Sequence, residues 1–350
     1  MTYTRREFGR LTLAGMPAAG LLLSNESWLR AAQTKPNSKW AGVQVGLNMP
    51  YDLHTPVVGN NVSGDDVLAA CLQVGVSAVE LRTQSVEMYL GSPTIAAQIA
   101  AAKARAAEST GATGGGRAAG RGGGGAGTAP TPTPEQQAAQ KAAAEELRKW
   151  RLAAPMSKVR EFRKKFEDAG VKIEIVKFDN ANIYSVTDDV VDWSFELAKA
   201  LGARAISCEI SAENTKRIGQ FADKHQMMVG YHGHTETGPK DWELAFSQAK
   251  FNGANLDLGH FVAGNKTSPV PFLKQYHDRI THVHVKDRKL TGENVTFGEG
   301  DTPIKEALQL IGAQKWNIQA TIENEYAVPQ GSTVMAEIAK CVAFCKQCLV

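Results

Sequence analysis

The sequence predicts an α/β chain folded as a (β/α)8 TIM barrel, and three observations carry that expectation. Eight short β-branched runs recur between residues 42 and 325. Amphipathic stretches of helical period lie between most of them. Ligand-capable polar side chains collect at the C-terminal ends of the runs, the face on which barrel enzymes build their sites.

The runs, in order, are "GVQVGLN" (42–48), "AVELRT" (78–83), "VKIEIVKF" (171–178), "ARAISCEI" (203–210), "MMVGYHGH" (227–234), "ANLDLGH" (254–260), "ITHVHVKD" (280–287) and "IQATIENE" (318–325). Between them, "SGDDVLAACLQVG" has a Ser N-cap and a Gly exit, and "TDDVVDWSFELAKALG" opens on Thr187 followed by acids. Trp193 and Trp242 sit in helical stretches and are expected to pack the core. A doubly wound open sheet fits less well, because no Gly-rich turn follows the first run. The expected barrel domain spans 40–350. Residues 96–144 form an Ala/Gly-rich insertion after the second strand, with "TGGGRAAGRGGGGAGTAPTPTP" at its centre. Such sequence buries little and gains little from ordering, so the centre is expected to be a disordered loop between two Ala-rich helices. Its "GRGGGG" lacks the following Lys-Ser/Thr and the preceding strand of a phosphate loop.

Composition narrows the class. At 350 residues and 43% hydrophobic the chain can bury a large core, and a formal charge of +3 offers no basic stripe for nucleic acid. Residues 1–32 combine Arg5, Arg6 and Phe8 with a short apolar run from Leu11 to Leu23 and small residues at Ala31 and Ala32. That pattern predicts a twin-arginine signal peptide, hence a periplasmic or secreted protein with no stable membrane insertion after signal removal. Five cysteines, an odd number, do not make a disulfide framework, and "CVAFCKQCLV" lacks the second cysteine pair of a zinc site.

The chemistry lies at the strand ends. Glu80 ends the second run, Glu209 the fourth, and His232 and His234 the fifth. Asp257 and His260 end the sixth, His282 and His284 the seventh, and Glu323 and Glu325 the eighth. Singly, each has a structural explanation as a solvated carboxylate or a hydrogen-bonded core imidazole. Jointly they make an open site of carboxylates and imidazoles without thiolate, suited to Mn²⁺, Mg²⁺, Co²⁺ or Zn²⁺. A metal so held polarises a carbonyl and acidifies the adjacent C–H, which a flanking carboxylate can deprotonate. Lys286 and Arg288 follow the seventh run and, with Glu80, His234 and His260, are candidate substrate contacts.

"GYHGHTE", "LDLGHFVAGN", "THVHVKDRK" and "ATIENE" resemble the sugar phosphate isomerase/epimerase family of xylose isomerase-like barrels. The resemblance covers roughly residues 40–348 apart from the insertion. It implies a divalent metal held by Glu, Asp, His and Glu from four strands. Asp257, His284 and Glu323 match three of those ligands, Glu323 also matching the proton-transfer base, and His260 matches the histidine after the aspartate. The first glutamate is the departure, since the fifth strand carries His232 there. Either His232 replaces it, or Glu209 on the preceding strand reaches in; charge matching favours Glu209. The expected metal set is therefore Glu209, Asp257, His284 and Glu323, with Mn²⁺ the expected ion and His232 or His234 a second acid/base.

These observations lead to a divalent-metal-dependent isomerase or epimerase. It would move a proton next to a carbonyl on a carbohydrate-like substrate: a free sugar, an inosose or a keto-glycoside. A dehydratase or lyase on a keto-sugar or inosose is the alternative, since the same enolate can eliminate water. A non-catalytic sugar-binding protein is a further one. Metal-dependent DNA hydrolysis would need histidines at the second and third strand ends, where Glu80 and Asp179 stand instead.

Overall fold

Strand β1 (Lys39–Trp40) reverses through Ala41 and Gly42, whose φ of +46° and +86° make a tight two-residue turn, and pairs antiparallel with β2 (Val43–Met49). The computed structural model describes residues 35–55, 58–111 and 133–350. The expected signal peptide, residues 1–32, and the Gly-rich centre of the insertion lie outside the described residues.

From β2 the chain runs through β3 (Ala78–Arg82), β4 (Lys172–Lys177), β5 (Ala205–Glu209), β6 (Met228–His232), β7 (Asn252–Asp257), β8 (Ile280–Val285) and β9 (Gln319–Ile322). Each pairs in parallel with the next, and β2 also pairs with β9, with Val45 opposite Ala320, which closes an eight-stranded barrel. Both faces of these strands are covered, so they read as nearly continuous buried runs rather than alternating ones. Helices such as Asp188–Ala200, Ala212–His225 and Ile304–Gln314 pack around the barrel. Trp242 and Trp193 are buried between them, as the sequence leads one to expect. The (β/α)8 expectation is met. The hairpin strand β1 was not anticipated, because two residues give no periodicity to read.

The two Ala-rich stretches form helices Pro93–Gly111 and Pro134–Ala153. The second opens on a capping box between Thr133 and Gln136 and is tied to the barrel by Arg151. That side chain is buried, and its Nε donates to Glu87 Oε1 at 2.8 Å. Among the described residues no helix is long and apolar enough to cross a membrane.

Three strands end earlier than their sequence suggests, and the differences place site residues. β7 stops at Asp257 because its carboxylate caps helix Leu258–Asn265, accepting the His260 N–H at 2.7 Å. His260 therefore stands in the first turn of a helix, not on a strand. β6 stops at His232, leaving His234 in the following loop, and β9 stops at Ile322, just before Glu323. Helix Leu258–Asn265 packs hard against the loop after β6. A Cβ on Gly264 would stand 1.9 Å from the Thr235 carbonyl oxygen, which is backbone and cannot swing aside. We expect Gly264→Ala to cost about 1–3 kcal/mol in urea unfolding, as an overpacked core position does. An unchanged midpoint would show that the two loops are not in register through this contact.

Candidate metal centre

Parallel register brings the strand ends level: Glu209 lies opposite His232, and Asp257 opposite His284. Four side chains then follow one rule. Each ties one polar atom to the protein and turns the other towards a common point. Asp257 caps its helix with Oδ1 and turns Oδ2 inward. Glu323 Oε1 accepts from Asn48 Nδ2 at 2.8 Å, leaving Oε2. His232 places Nδ1 2.8 Å from Glu209 Oε2, leaving Nε2. His284 places Nε2 2.6 Å from Glu80 Oε2, leaving Nδ1.

All four inward atoms are buried without a well-formed hydrogen bond among the described residues, and the two carboxylate oxygens have the Lys286 ammonium as an ion-pair partner, 2.6 Å from Glu323 Oε2 and 3.2 Å from Asp257 Oδ2. Buried polar atoms left so are rare and call for a ligand. His232 Nε2 is 3.6 Å from Asp257 Oδ2, and His284 Nδ1 is 3.8 Å from that oxygen and 3.2 Å from Glu323 Oε2. Ligands held about 2.0–2.2 Å from a tetrahedral ion stand roughly 3.3–3.6 Å apart. These three spacings and the donor chemistry suit a small divalent cation, although His284 groups by ligand-atom distance with Glu80 and His282. His232, Asp257, His260 and Glu323 also form a group whose ligand atoms lie within 4.8 Å of one another.

His260 borders the centre on terms of its own. Arg288 Nη1 lies 2.6 Å from its Nδ1, and Lys286 Nζ 2.8 Å from its Nε2. A guanidinium and an ammonium both only donate, and a neutral imidazole has a single accepting nitrogen, so these two contacts do not fix the ring's tautomer. Burial, with the nearby Lys286 charge, pushes the imidazole down to about 3 against the pull of Asp257, so the ring is neutral. Lys286, a candidate substrate contact from the sequence, is buried, with Nζ 2.6 Å from Glu323 Oε2, 3.2 Å from Asp257 Oδ2 and 2.7 Å from Glu325 Oε2. Burial opposes its charge, but the three carboxylates outweigh that and raise its pKa. Burial likewise resists ionisation of Asp257 and Glu323, and it is outweighed only jointly, by Lys286 with His260 and His232 at Asp257 and by Lys286 with His284 and His232 at Glu323.

The expected metal set is divided by the structure. Asp257, His284 and Glu323 converge. Glu209 belongs to a separate group with His232 and His234. Its Oε1 pairs with Lys177 Nζ at 2.9 Å, and its Oε2 faces His232 Nδ1 and also His234 Nε2 at 2.9 Å. Of the two candidates for the fourth donor, His232 turns Nε2 towards Asp257 Oδ2, while Glu209 faces Lys177 and the two imidazoles. Burial opposes the Glu209 charge, and Lys177 and His232 overcome it. The hydrogen bond to Glu209 raises His234 above its usual range against partial burial.

Glu80 also needs correction as a substrate contact. It is completely buried beneath the centre, its Oε2 3.3 Å from His282 Nε2 and 2.6 Å from His284 Nε2. Burial keeps His282 neutral, down to about 4, despite Glu80. His284 is pushed the other way, up to about 10, because Glu323 and Glu80 together outweigh its burial. Sequence reasoning did not single out Lys177, Asn48 or Asp52. Asp52 accepts the N–H of Asn48 at 2.9 Å and of Asn324 at 3.0 Å, locking the end of β2 to the loop that carries Glu323. Lys177 had a readable signal: it closes β4 directly after the apolar pair Ile175 and Val176.

No family model matches the chain. An inosose dehydratase of Clostridium botulinum (strain Eklund 17B / Type B) is 33% identical over 100 residues, 25% of this chain and 33% of that protein. The chain thus spans about a third of the length of the curated relatives it matches. Among solved structures, the probable 3-DHS dehydratase AsbF of Bacillus anthracis superposes with a TM-score of 0.54 at 14% identity, covering 86% of this chain and 98% of that one. The IOLI protein with a bound zinc atom gives 0.53 at 13%, covering 88% and 98%. A xylose isomerase domain protein of Alicyclobacillus acidocaldarius gives 0.51 at 12%, covering 87% and 99%. The fold is a xylose isomerase-like TIM barrel. At these identities the likeness speaks for the barrel alone. The donor atoms at its C-terminal face are this chain's own evidence for a metal.

Proposed function

We propose that the protein is a divalent-metal-dependent dehydratase acting on a cyclic keto-polyol of the inosose type. The carrying observation is the set of four buried inward atoms, His232 Nε2, Asp257 Oδ2, His284 Nδ1 and Glu323 Oε2, each with its other polar atom already engaged. A divalent ion bound by them would supply Lewis-acid polarisation of the substrate carbonyl. Two imidazoles and two carboxylates suit Mn²⁺ or Zn²⁺ better than the all-oxygen preference of Mg²⁺.

The chain's own groups divide the remaining work. Glu323, held by Asn48, takes the proton from the carbon beside the carbonyl. The neighbouring C–O bond then breaks, and the departing hydroxide receives a proton from His234. That imidazole is half-exposed at the mouth, and Glu209 favours its protonated form. His260, Lys286 and Arg288 bind hydroxyl and carbonyl oxygens. Isomerisation or epimerisation shares the first step and returns the proton to carbon from the other side. Elimination is favoured here because Glu209, the other strand-end carboxylate that a two-carboxylate proton relay could use, is occupied by Lys177 and two imidazoles. The names of the curated relatives lean the same way. Export by the twin-arginine route remains part of this proposal and would point to unphosphorylated substrates.

The test is proton NMR in deuterated buffer, with the protein loaded with Mn²⁺ or Zn²⁺ and offered inososes, ketoses and keto-glycosides. Loss of the signal α to the carbonyl with formation of a dehydrated product is expected. Exchange without dehydration would move the assignment to isomerase or epimerase. An ion-loaded protein that exchanges no substrate of these classes would leave a sugar-binding protein as the better description.

A further inference from the structure

Lys177 is 1% exposed at the end of β4, inside the barrel mouth, and its ammonium lies 2.9 Å from Glu209 Oε1. A buried lysine–glutamate pair is costly to desolvate and adds little net stability, so its presence beside a ligand cluster calls for another reason. The geometry supplies one. With Oε1 given to Lys177, Glu209 has Oε2 left for the imidazoles, and His232 Nδ1 lies 2.8 Å from it. A carboxylate only accepts, so Nδ1 must carry the proton and the lone pair falls on Nε2. Nε2 is the atom that faces Asp257 Oδ2 at 3.6 Å without a hydrogen bond.

We infer that Lys177 and Glu209 are positioning residues that set the tautomer and ring orientation of His232, making it an ion ligand. Three adjacent strands are involved: the ammonium on β4 fixes the carboxylate on β5, and the carboxylate fixes the imidazole on β6. The arrangement keeps Glu209 out of the ion's immediate shell. The ion then meets two formal negative charges, on Asp257 and Glu323, rather than three. The inference rests on the proposed reading of His232 as a ligand, and the experiment separates the two.

The experiment titrates the full chain with Zn²⁺ and Co²⁺ against a competing chelator and records the visible spectrum of the Co²⁺ form. Wild type is compared with His232→Ala, Lys177→Met, Lys177→Arg, Glu209→Gln and the Lys177→Met/Glu209→Gln pair. Outer-shell partners of metal-bound histidines are worth about 10–100-fold in affinity, so Lys177→Met and Glu209→Gln should each weaken binding by about that factor and shift the Co²⁺ bands. Lys177→Arg should restore most of it. The double variant should bind no worse than Glu209→Gln alone, since both act through one ring. Should Lys177→Met or Glu209→Gln fail to fold, the double variant, which leaves no unpaired charge, carries the test against His232→Ala and wild type. If His232→Ala binds weakly while Lys177→Met and Glu209→Gln match wild type in affinity and spectrum, the relay is wrong and the ligand stands. If His232→Ala matches wild type, or wild type takes up no ion, the ligand reading falls and the relay with it.

Discussion

Glu323→Gln should lower exchange of the substrate's α-hydrogen with solvent deuterium by about 10²–10⁴-fold, the usual worth of a positioned general base. The measurement is made at an ion concentration that saturates the variant. Gln is close in shape and keeps a carbonyl oxygen for the centre, but it cannot accept the proton. The structure explains why this carboxylate is ionised and ready. Burial alone would raise its pKa, and Lys286 at 2.6 Å with His284 at 3.2 Å reverses that. Asn48 fixes the other oxygen, so the group has one orientation. Undiminished exchange in the ion-loaded variant would remove Glu323 from the proton transfer and turn attention to His234.

The second large effect is on stability. Among the described residues Glu80 is the only carboxylate within ion-pair distance of His282, and it shares His284 with Glu323 and Asp257. Glu80, His282 and His284 are all fully buried. Removing one partner of a buried charge pair costs about 3–5 kcal/mol, and Glu80→Gln in the ion-free protein should approach that. The sign of the pH dependence follows from His284, whose pKa rises from 6.5 to about 10 in the folded state. A raised pKa means that its contribution is complete below pH 6.5 and is lost as the pH climbs through 10. Ion-free wild type should therefore lose stability across that interval. Glu80→Gln should start lower and fall less steeply. Urea unfolding at several pH values reads both. Identical midpoints and slopes for variant and wild type would show that the pair does not hold the charge on His284.

Much of the barrel is legible because each strand is a local signal. Runs such as "ITHVHV" and "VKIEIVK" carry β-branched residues bounded by turn residues, and local signals survive without knowledge of neighbours. Asp257, His284 and Glu323 were found for the same reason: they close strands, and the C-terminal ends of parallel strands must meet on one face. The misplacements concern what happens one or two residues beyond a strand. His260 reads as strand because "ANLDLGH" is continuous and apolar, yet the Asp257 cap starts a helix within it. Lys286 and Arg288 read as candidate substrate contacts just past a strand, with nothing in the local sequence to show how deeply Lys286 is buried. The carboxylates that bury Lys286 come from β7 and from the loop after β9, far away in sequence.

The choice between Glu209 and His232 shows where sequence stops. Both close adjacent strands, both are plausible donors, and charge counting favours the glutamate. What decides between them is Lys177, more than 30 residues earlier in the chain, which barrel closure brings to within 2.9 Å of Glu209. By itself the sequence determined that eight parallel strands would present carboxylates and imidazoles on one face. Tertiary structure alone decided which atoms look inward. A side chain with two polar atoms gives one to its nearest partner, and the identity of that partner is set by strands that meet only when the barrel closes.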